Sequence, residues 1–194
     1  MTTLVESLLA LARADGGAET IVLAPIRVSD LFQRIDGIWA GAMKQALLDF
    51  RLDSPSQDMI LLADADGVVR LLSILLENAR KYTPPGGAVK VCAKVEQERA
   101  ILSVLDTGIG IAPEHLARIF DRFYRASPRS DAFPQGSGLG LSLAHWIAER
   151  HGTELSVDSA VGSGSRFSFS LQQTSIDVQF VEPRNATQVG ARNG

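Results

Sequence analysis

Three long stretches of the chain place apolar residues at helical spacing. Residues 29–45, 66–81 and 140–150 each carry an apolar stripe at intervals of three and four positions. Ser29 is placed to cap the first of these helices, and Thr83-Pro-Pro-Gly-Gly87 ends the second. The pattern therefore predicts three amphipathic helices, each of which needs a surface to cover.

Shorter β-branched or alternating runs predict the strands of that surface. They occupy residues 21–28, 46–52, 59–63, 89–95, 101–105, 154–158 and 165–171. The first run contains a proline, which is typical of an edge strand. Strands and helices do not alternate strictly, which favours one sheet covered on one face. We predict a two-layer α/β sandwich, with a mixed, mostly antiparallel sheet of about five main strands and three long helices on one face.

The two ends of the chain differ from its centre. Residues 4–14 have helical spacing, but so short a helix must pack on something, either a partner helix or the domain itself. Beyond residue 173 the sequence is polar and aperiodic, which is typical of a flexible tail. We expect a leading helix and linker over 1–17, a compact domain over 18–173 and a tail over 174–194.

Composition narrows the class of protein. A chain of 194 residues with 45% hydrophobic content can bury one sizeable core. The net charge of −3 gives no reason to expect nucleic acid as a partner. A single cysteine, Cys92, favours a reducing compartment, and no apolar run is long enough to span a bilayer. We therefore expect a soluble, cytoplasmic chain.

Two glycine-bearing clusters lie where regular elements meet. The first cluster is Asp106-Thr-Gly-Ile-Gly110, whose carboxylate can accept a hydrogen bond from the exocyclic amine of a planar base. The alternative interpretation of this cluster is an ordinary turn. Gly136-Ser-Gly-Leu-Gly-Leu141 joins a non-periodic loop, residues 126–138, to the third helix and can present N–H groups to phosphate. A dinucleotide fingerprint fits poorly because no strand precedes the glycines, and a Walker loop fails because no Gly-Lys-Ser/Thr follows.

Two further clusters are ambiguous when taken singly. Glu77-Asn78-Ala-Arg-Lys81-Tyr82 presents an amide, an ammonium and a phenol near the end of the second helix, where a solvated helix end is the alternative. Gly162-Ser-Gly-Ser165, between the last two strands, is typical of a hairpin turn.

In chain order these clusters resemble the nucleotide-binding boxes of one family. Asn-Ala-x-Lys-Tyr-Thr, Asp-x-Gly-x-Gly, Ile-Phe-x-Arg-Phe-Tyr-Arg, Gly-Ser-Gly-Leu-Gly-Leu and Gly-x-Gly-Ser-x-Phe are similar to those of the catalytic, ATP-binding domain of sensor histidine kinases. This domain belongs to the GHKL superfamily and has the Bergerat fold. The resemblance covers roughly residues 21–172. It implies transfer of the γ-phosphoryl group of ATP to a histidine in a two-component system, with Mg²⁺ as cofactor.

The resemblance also implies a role for each matching residue. Asn78 is the expected Mg²⁺ ligand, Lys81 and Tyr82 are expected beside the phosphates and adenine, and Asp106 is expected to accept from the adenine amine. Ser165 is expected to support Asp106 through its hydroxyl, by way of a water. The residues expected to line the base are Gly108, Gly110 and Ile111. The residues expected to anchor the lid and meet the phosphates are Phe120, Phe123, Arg122, Arg125, Gly136, Ser137, Gly138, Leu139 and Gly140. No catalytic side chain is assigned, and Glu77 is a candidate.

Two departures accompany the resemblance. Ile74 stands where the family often has a second asparagine, so we expect weaker Mg²⁺ binding. The three histidines, His115, His145 and His151, lack the His-Glu or His-Asp context of a phosphoacceptor, so structural roles are expected. We expect the chain to bind ATP without autophosphorylating alone. The expected partners are a histidine-bearing dimerisation domain, within a homodimer and a membrane-anchored parent protein, and a response regulator.

Three functions compete at this point. The first is an active kinase domain that needs a separate histidine-bearing segment. The second is a nucleotide-sensing module that binds ATP without transferring phosphate, for which Ile74 is the hint. The third is a mechanochemical ATPase, which would need a glutamate base at the position of Ile74 and is therefore ranked last.

Overall fold

The computed structural model describes residues 21–54, 59–97, 99–126 and 137–174. The helices in these ranges are α1 (Val28–Gln45), α2 (Ala65–Tyr82), α3 (Pro113–Leu116) and α4 (Gly140–Arg150). The strands are β1 (Ala24–Arg27), β2 (Asp49–Asp53), β3 (Ile60–Ala63), β4 (Ala88–Glu96), β5 (Arg99–Asp106), β6 (Ser156–Ala160) and β7 (Gly164–Gln173). The bounds of the three long helices agree with the prediction to within one residue. The predicted leading helix, most of the loop over 126–138 and most of the tail lie outside the described residues.

All seven strands belong to one sheet. Its order is β1-β3-β7-β5-β4-β2, and β6 pairs with β7 beside this path. Only the β2–β4 pair is parallel among the described strands, so the sheet is mixed and mostly antiparallel. The predicted fold class and the edge position of β1 are confirmed, and β4 and β5 form an antiparallel hairpin. The sheet exceeds the predicted five main strands because the four-residue β1 and β3 pair with each other at its edge.

The core lies between one face of the sheet and the long helices. Alternate residues of β5, namely Ala100, Leu102 and Val104, face this core, as the period of two requires. They pack with the apolar stripe of α2, which includes Leu72 and Leu75 and is fully buried. A two-layer sandwich follows, with α2 as the central helix between α1 and α4.

The start of α1 differs from the prediction. Ser29 does not cap the helix, because the helix already begins at Val28 and its N-cap residue is Arg27, which makes no side-chain cap. The Val28 N–H donates instead to the Met59 carbonyl, at 2.8 Å, just before β3. A backbone partner from a distant segment thus satisfies a group that a local cap was expected to satisfy.

Cys92 lies on the sheet face opposite the helices. It is opposite Asp53 of β2, and its side chain is only 5% exposed. Burial raises the pKa of its thiol, although the nearby Lys90 acts in the other direction. No helix in the described part of the chain has both the length and the apolar character that crossing a bilayer requires.

Candidate nucleotide site

Asp106 ends the core-facing row of β5. Val104 precedes it on the same face and is buried in the core, so a carboxylate occupies the next position where an apolar residue would continue the row. Its Oδ1 accepts from the Gly108 N–H at 2.8 Å and from the Ser165 N–H at 3.3 Å. Burial raises the pKa of Asp106, and these two hydrogen bonds reduce the rise. The structure thus places a partly desolvated carboxylate at the end of the sheet.

The β6–β7 hairpin packs directly against the loop that follows Asp106. A Cβ on Gly110 would lie 1.9 Å from the Ala160 carbonyl oxygen, and a Cβ on Gly164 would lie 1.9 Å from the Asp106 carbonyl oxygen. Both glycines also have positive φ, +72° and +80°. The Gly162 N–H donates to the Ile109 carbonyl at 2.8 Å. Backbone contacts therefore hold the Asp106 loop, and the hairpin turn predicted at residues 162–165 is confirmed.

The C-terminal end of α2 closes the other side of this loop. The Ile109 N–H donates to the Tyr82 carbonyl at 3.1 Å, and a Cβ on Gly108 would lie 2.5 Å from the same oxygen. Asn78 lies one helical turn earlier and is half-buried, whereas Tyr82 is 38% exposed. The fold therefore brings the end of α2 and the Asp106 loop together, as the expected site requires.

Glu77 is occupied by its neighbours on α2. Its two carboxylate oxygens accept from Arg80 at 2.9 Å each, and Oε1 lies 3.2 Å from Lys81 Nζ. Burial pushes the pKa of Glu77 upwards, but Arg80 and Lys81 outweigh it, so that the pKa lies below its usual value. A carboxylate held in its ionised form by two cations is a weak base, which argues against a catalytic role for Glu77.

The N-terminus of α4 forms a second edge of the site. Its N-cap residue, Leu139, supplies no side-chain cap, and its first turn has no acidic residue. The first helical bond of α4 runs from Leu143 N–H to the Leu139 carbonyl, so the three preceding N–H groups have no partner within the helix. Such an end carries a partial positive charge and, within the described part of the chain, N–H groups without a partner, which suits an anion.

A backbone hydrogen bond ties Gly138 of the glycine-rich segment to Phe123. Phe123 N–H donates to the Gly138 carbonyl at 2.9 Å, although the Phe123 ring is 65% exposed. The role expected of Phe123 in anchoring the lid stays a prediction, and its contact with Gly138 runs through the backbone. Phe120 does pack inward, where it stacks on His145 with centroids 5.0 Å apart. Gly136 lies outside the described residues, and Arg122 and Arg125 are both exposed beside Phe123.

Ser165 contacts Asp106 through its backbone, and the expected support from its hydroxyl by way of a water stays a prediction. Its backbone N–H makes the contact, while its hydroxyl lies 3.0 Å from Ser159 Oγ. Ser159 also accepts from the Ile111 N–H at 2.9 Å, so it joins β6 to the loop that was expected to line the base. Sequence reasoning missed Ser159 because one serine in an alternating strand forms no motif. The signal was its place opposite Ser165 in a hairpin that could be predicted.

The three histidines have structural contacts. His115 Nδ1 lies 2.8 Å from the Tyr124 hydroxyl, and His145 stacks on Phe120. His151 joins two elements, since its Nδ1 lies 2.8 Å from the Ile147 carbonyl and its Nε2 accepts from the Asp64 N–H at 3.2 Å. His151 therefore links the end of α4 to the residue that precedes α2.

A metal ion would find few protein ligands here. In the described ranges, no group of three or more His, Cys, Asp or Glu side chains could hold a metal ion. Asn78 offers one amide oxygen, which fits an ion held mainly by phosphates and water. Ile74 faces the start of α4, because a Cβ on Gly140 would lie 3.4 Å from its Cγ2. An aliphatic side chain therefore lies between the two helices where the family often has a second amide.

Comparison with known proteins places the chain in a family. The profile described as histidine kinase-, DNA gyrase B- and HSP90-like ATPase matches residues 63–175, which is more than half of the chain. The chain belongs to this family of ATPase domains, as its sequence motifs predict.

Its relatives are sensor kinases. The sensor histidine kinase YkoH of Bacillus subtilis (strain 168) is 35% identical over 182 residues, which cover 94% of this chain and 37% of YkoH. Full-length ShkA, solved in complex with AMPPNP, is 26% identical with a TM-score of 0.79, covering 90% of this chain and 36% of ShkA. The mycobacterial sensor histidine kinase MprB is 27% identical with a TM-score of 0.65, covering 78% of this chain and 98% of that structure. The chain thus spans about a third of the length of YkoH and ShkA.

Proposed function

We propose that this chain is the ATP-binding catalytic domain of a sensor histidine kinase, which transfers the γ-phosphoryl group of ATP to a histidine on a separate segment. The observation that carries the proposal is the half-buried carboxylate of Asp106. Both of its hydrogen bonds in the structure go to Oδ1. Oδ2 is therefore the natural acceptor for an exocyclic amine of a bound base.

The phosphates would lie at the open end of α4. The free N–H groups of its first turn supply donors and partial positive charge. Lys81 adds an ammonium that is held near Asn78 by Glu77, at 3.2 Å. Arg122 and Arg125 extend from the segment that is tied to Gly138. In phosphoryl transfer the protein positions the nucleotide and neutralises its charge, which is what these groups can do.

Asn78 would hold Mg²⁺ together with the phosphates and water. The metal would neutralise charge on the β- and γ-phosphates, and we infer a weaker hold than two amides would give, because Ile74 provides none. The residues of the chain itself bind the base, orient the phosphates and cover them.

The acceptor histidine is proposed to lie on another segment. All three histidines of the chain are engaged in packing or hydrogen bonds that join structural elements. A histidine-bearing dimerisation domain and a response regulator are the proposed partners, and a membrane-anchored parent with this domain on its cytoplasmic side is the proposed setting.

Calorimetry tests the nucleotide site. We expect ATP with Mg²⁺ to bind the wild-type chain, and Asp106→Asn to weaken binding at least about tenfold, because an amide nitrogen replaces an acceptor. Asp158→Asn is the matched control, since it removes an exposed carboxylate of β6. No binding by the wild type, or equal affinities for both variants and wild type, would contradict the site.

A transfer assay separates the kinase from the second candidate, a nucleotide-sensing module. The observation that favours sensing is Ile74, which fills the metal side of the site with an aliphatic group. ATP labelled at the γ-phosphate is mixed with this chain and the histidine-bearing domain of a sensor kinase relative. Acid-labile label on that domain supports transfer. Tight ATP binding without label on any such domain supports sensing.

A further inference from the structure

Three polar side chains form a row across neighbouring strands. Asp106 of β5 is opposite Ser165 of β7, and Ser165 is in turn opposite Ser159 of β6. Directly opposite residues of antiparallel strands lie on the same face of the sheet. The next row towards the core is apolar, with Val104, Phe167 and Val157 in the same three strands. The polar row therefore ends the core and borders the proposed base site.

The hydroxyl of Ser159 has three contacts. Its Oγ accepts from the Ile111 N–H at 2.9 Å, donates to the Gly164 carbonyl at 2.8 Å, and lies 3.0 Å from Ser165 Oγ. An amide N–H can only donate, a carbonyl can only accept, and a serine has one hydroxyl hydrogen. The hydrogen of Ser159 is thus used by Gly164. The contact with Ser165 can then form only if Ser165 supplies the hydrogen.

This assignment determines what Ser165 offers to a ligand. Its single hydrogen is donated to Ser159, so its remaining hydrogen-bonding capacity is that of an acceptor. Asp106 beside it is also an acceptor. The base end of the site consequently presents two acceptors side by side.

We propose that Ser159 is a positioning residue for nucleotide selection, which makes Ser165 an acceptor and so favours a 6-amino purine over a 6-oxo purine. The inference rests on the proposed ATP site. A 6-amino group has two N–H donors for two acceptors. A 6-oxo group has no hydrogen to donate and brings a carbonyl oxygen against these two acceptors, a mismatch that binding sites reject strongly.

Inosine triphosphate is the probe, because it differs from ATP only in its 6-oxo group and the associated N1–H. Calorimetry gives the dissociation constants of ATP and inosine triphosphate, each with Mg²⁺. We expect the wild type to prefer ATP at least about tenfold. In Ser159→Ala the hydroxyl of Ser165 is free to turn and donate. ATP binding should weaken by about three- to tenfold, inosine triphosphate should weaken less or improve, and the preference should fall accordingly.

Ser156→Ala is the matched control. Ser156 lies on the same strand and also contacts a serine across the hairpin, with Ser168 Oγ and the Ser168 carbonyl both at 3.0 Å. It lies three residues from Ser159, away from the Asp106 loop, and we expect it to keep the ATP preference of the wild type. Ser159→Thr keeps the hydroxyl and suits a strand, so it should restore most of the preference.

The outcomes separate this inference from the function on which it rests. If Ser159→Ala weakens both nucleotides equally, or neither, Ser159 has no selective role and the inference is overturned while ATP binding stands. If the wild type binds neither nucleotide, the proposed function falls with it. Ser165→Ala serves as a second variant should Ser159→Ala not fold. Its ATP preference should fall because an acceptor is lost, and a rise would overturn the inference by showing that Ser165 donates.

Discussion

The helices α2 and α4 begin in opposite ways. Before α2, Asp64 accepts from the N–H groups of Asp66, at 3.1 Å, and Gly67, at 3.2 Å. The N–H of Asp64 in turn donates to His151. Before α4, Leu139 is a buried apolar residue with no side-chain cap. Among the described residues, two N–H groups at the start of α2 have a side-chain cap, whereas the N–H groups at the start of α4 have none.

The start of α2 therefore contributes to stability, whereas the start of α4 is available for binding a ligand. A capped end gains stability of about 1 kcal/mol and has little left to offer a ligand. An uncapped end forgoes that stability and keeps its donors and partial charge for an anion. Removing the cap at the start of α2 should therefore alter stability, whereas adding a charge at the start of α4 should alter nucleotide affinity.

A carboxylate placed at the uncapped start of α4 should have the largest effect on ATP affinity. Gly140→Asp should weaken ATP binding by about tenfold or more, because the carboxylate repels the phosphates at close range. The same change should stabilise the fold by about 0.3–1 kcal/mol through the helix dipole. Calorimetry and urea unfolding measure the two effects. Gly140→Asn is the uncharged control of equal size, and an equal loss of affinity in both variants would contradict the charge argument.

Detaching the segment before α4 should have the next largest effect. Gly138 has φ +71°, and its Cβ would lie 2.7 Å from the Phe123 carbonyl carbon, so Gly138→Ala should break the tie to Phe123. ATP affinity should fall by about fivefold to tenfold, because the phosphate donors lose their fixed position. Gly152→Ala, at the other end of α4, has φ +68° with nothing within 4 Å of a Cβ. It should cost similar backbone strain, about 1–2 kcal/mol, and leave ATP affinity unchanged.

Removing the Asp64 cap at the start of α2 should affect stability alone. Asp64→Ala should lower the free energy of unfolding by about 1 kcal/mol, because two N–H groups lose their acceptor. Nucleotide affinity should stay within about twofold of wild type. Urea unfolding and calorimetry on the same protein provide the check. A loss of affinity as large as that of Gly140→Asp would erase the distinction between the two helix ends.

The smallest effect is expected for Mg²⁺ affinity on changing Ile74, which lies between α2 and α4. Ile74→Asn would add an amide beside Gly140, and we expect Mg²⁺ affinity in the presence of ATP to rise by about threefold. Ile74→Ala removes the aliphatic group without adding a ligand and should give no rise. A Mg²⁺ titration compares the two variants. Unchanged affinity in Ile74→Asn would show that water replaces the missing amide fully.

The long helices and the glycine clusters could be predicted because their signals are local. The apolar stripe of α2 repeats over 18 residues, and its bounds were predicted to within one residue at each end. The cap of α1 was predicted wrongly because its partner is the carbonyl of Met59, about thirty positions away in sequence. Capping rules consider only neighbouring residues in the sequence and cannot predict such a partner.

The candidate site shows the same division. Asp106 could be recognised because a carboxylate followed by two glycines ends an apolar strand. The role of Ser159 depends on two strand registers, that of β6 against β7 and that of β7 against β5. The sequence does not determine these registers. The exposure of the Phe123 ring also depends on tertiary packing, since its backbone is held by Gly138 at positive φ.

The buried thiol of Cys92 gives the molecule a built-in reporter. It is opposite Asp53 on the edge strand β2, and its raised pKa keeps it in the unreactive protonated form. An alkylating reagent can therefore modify it readily only after the surrounding structure opens. Because the chain has no other sulfhydryl group, the rate of alkylation reports how often the structure around Cys92 opens.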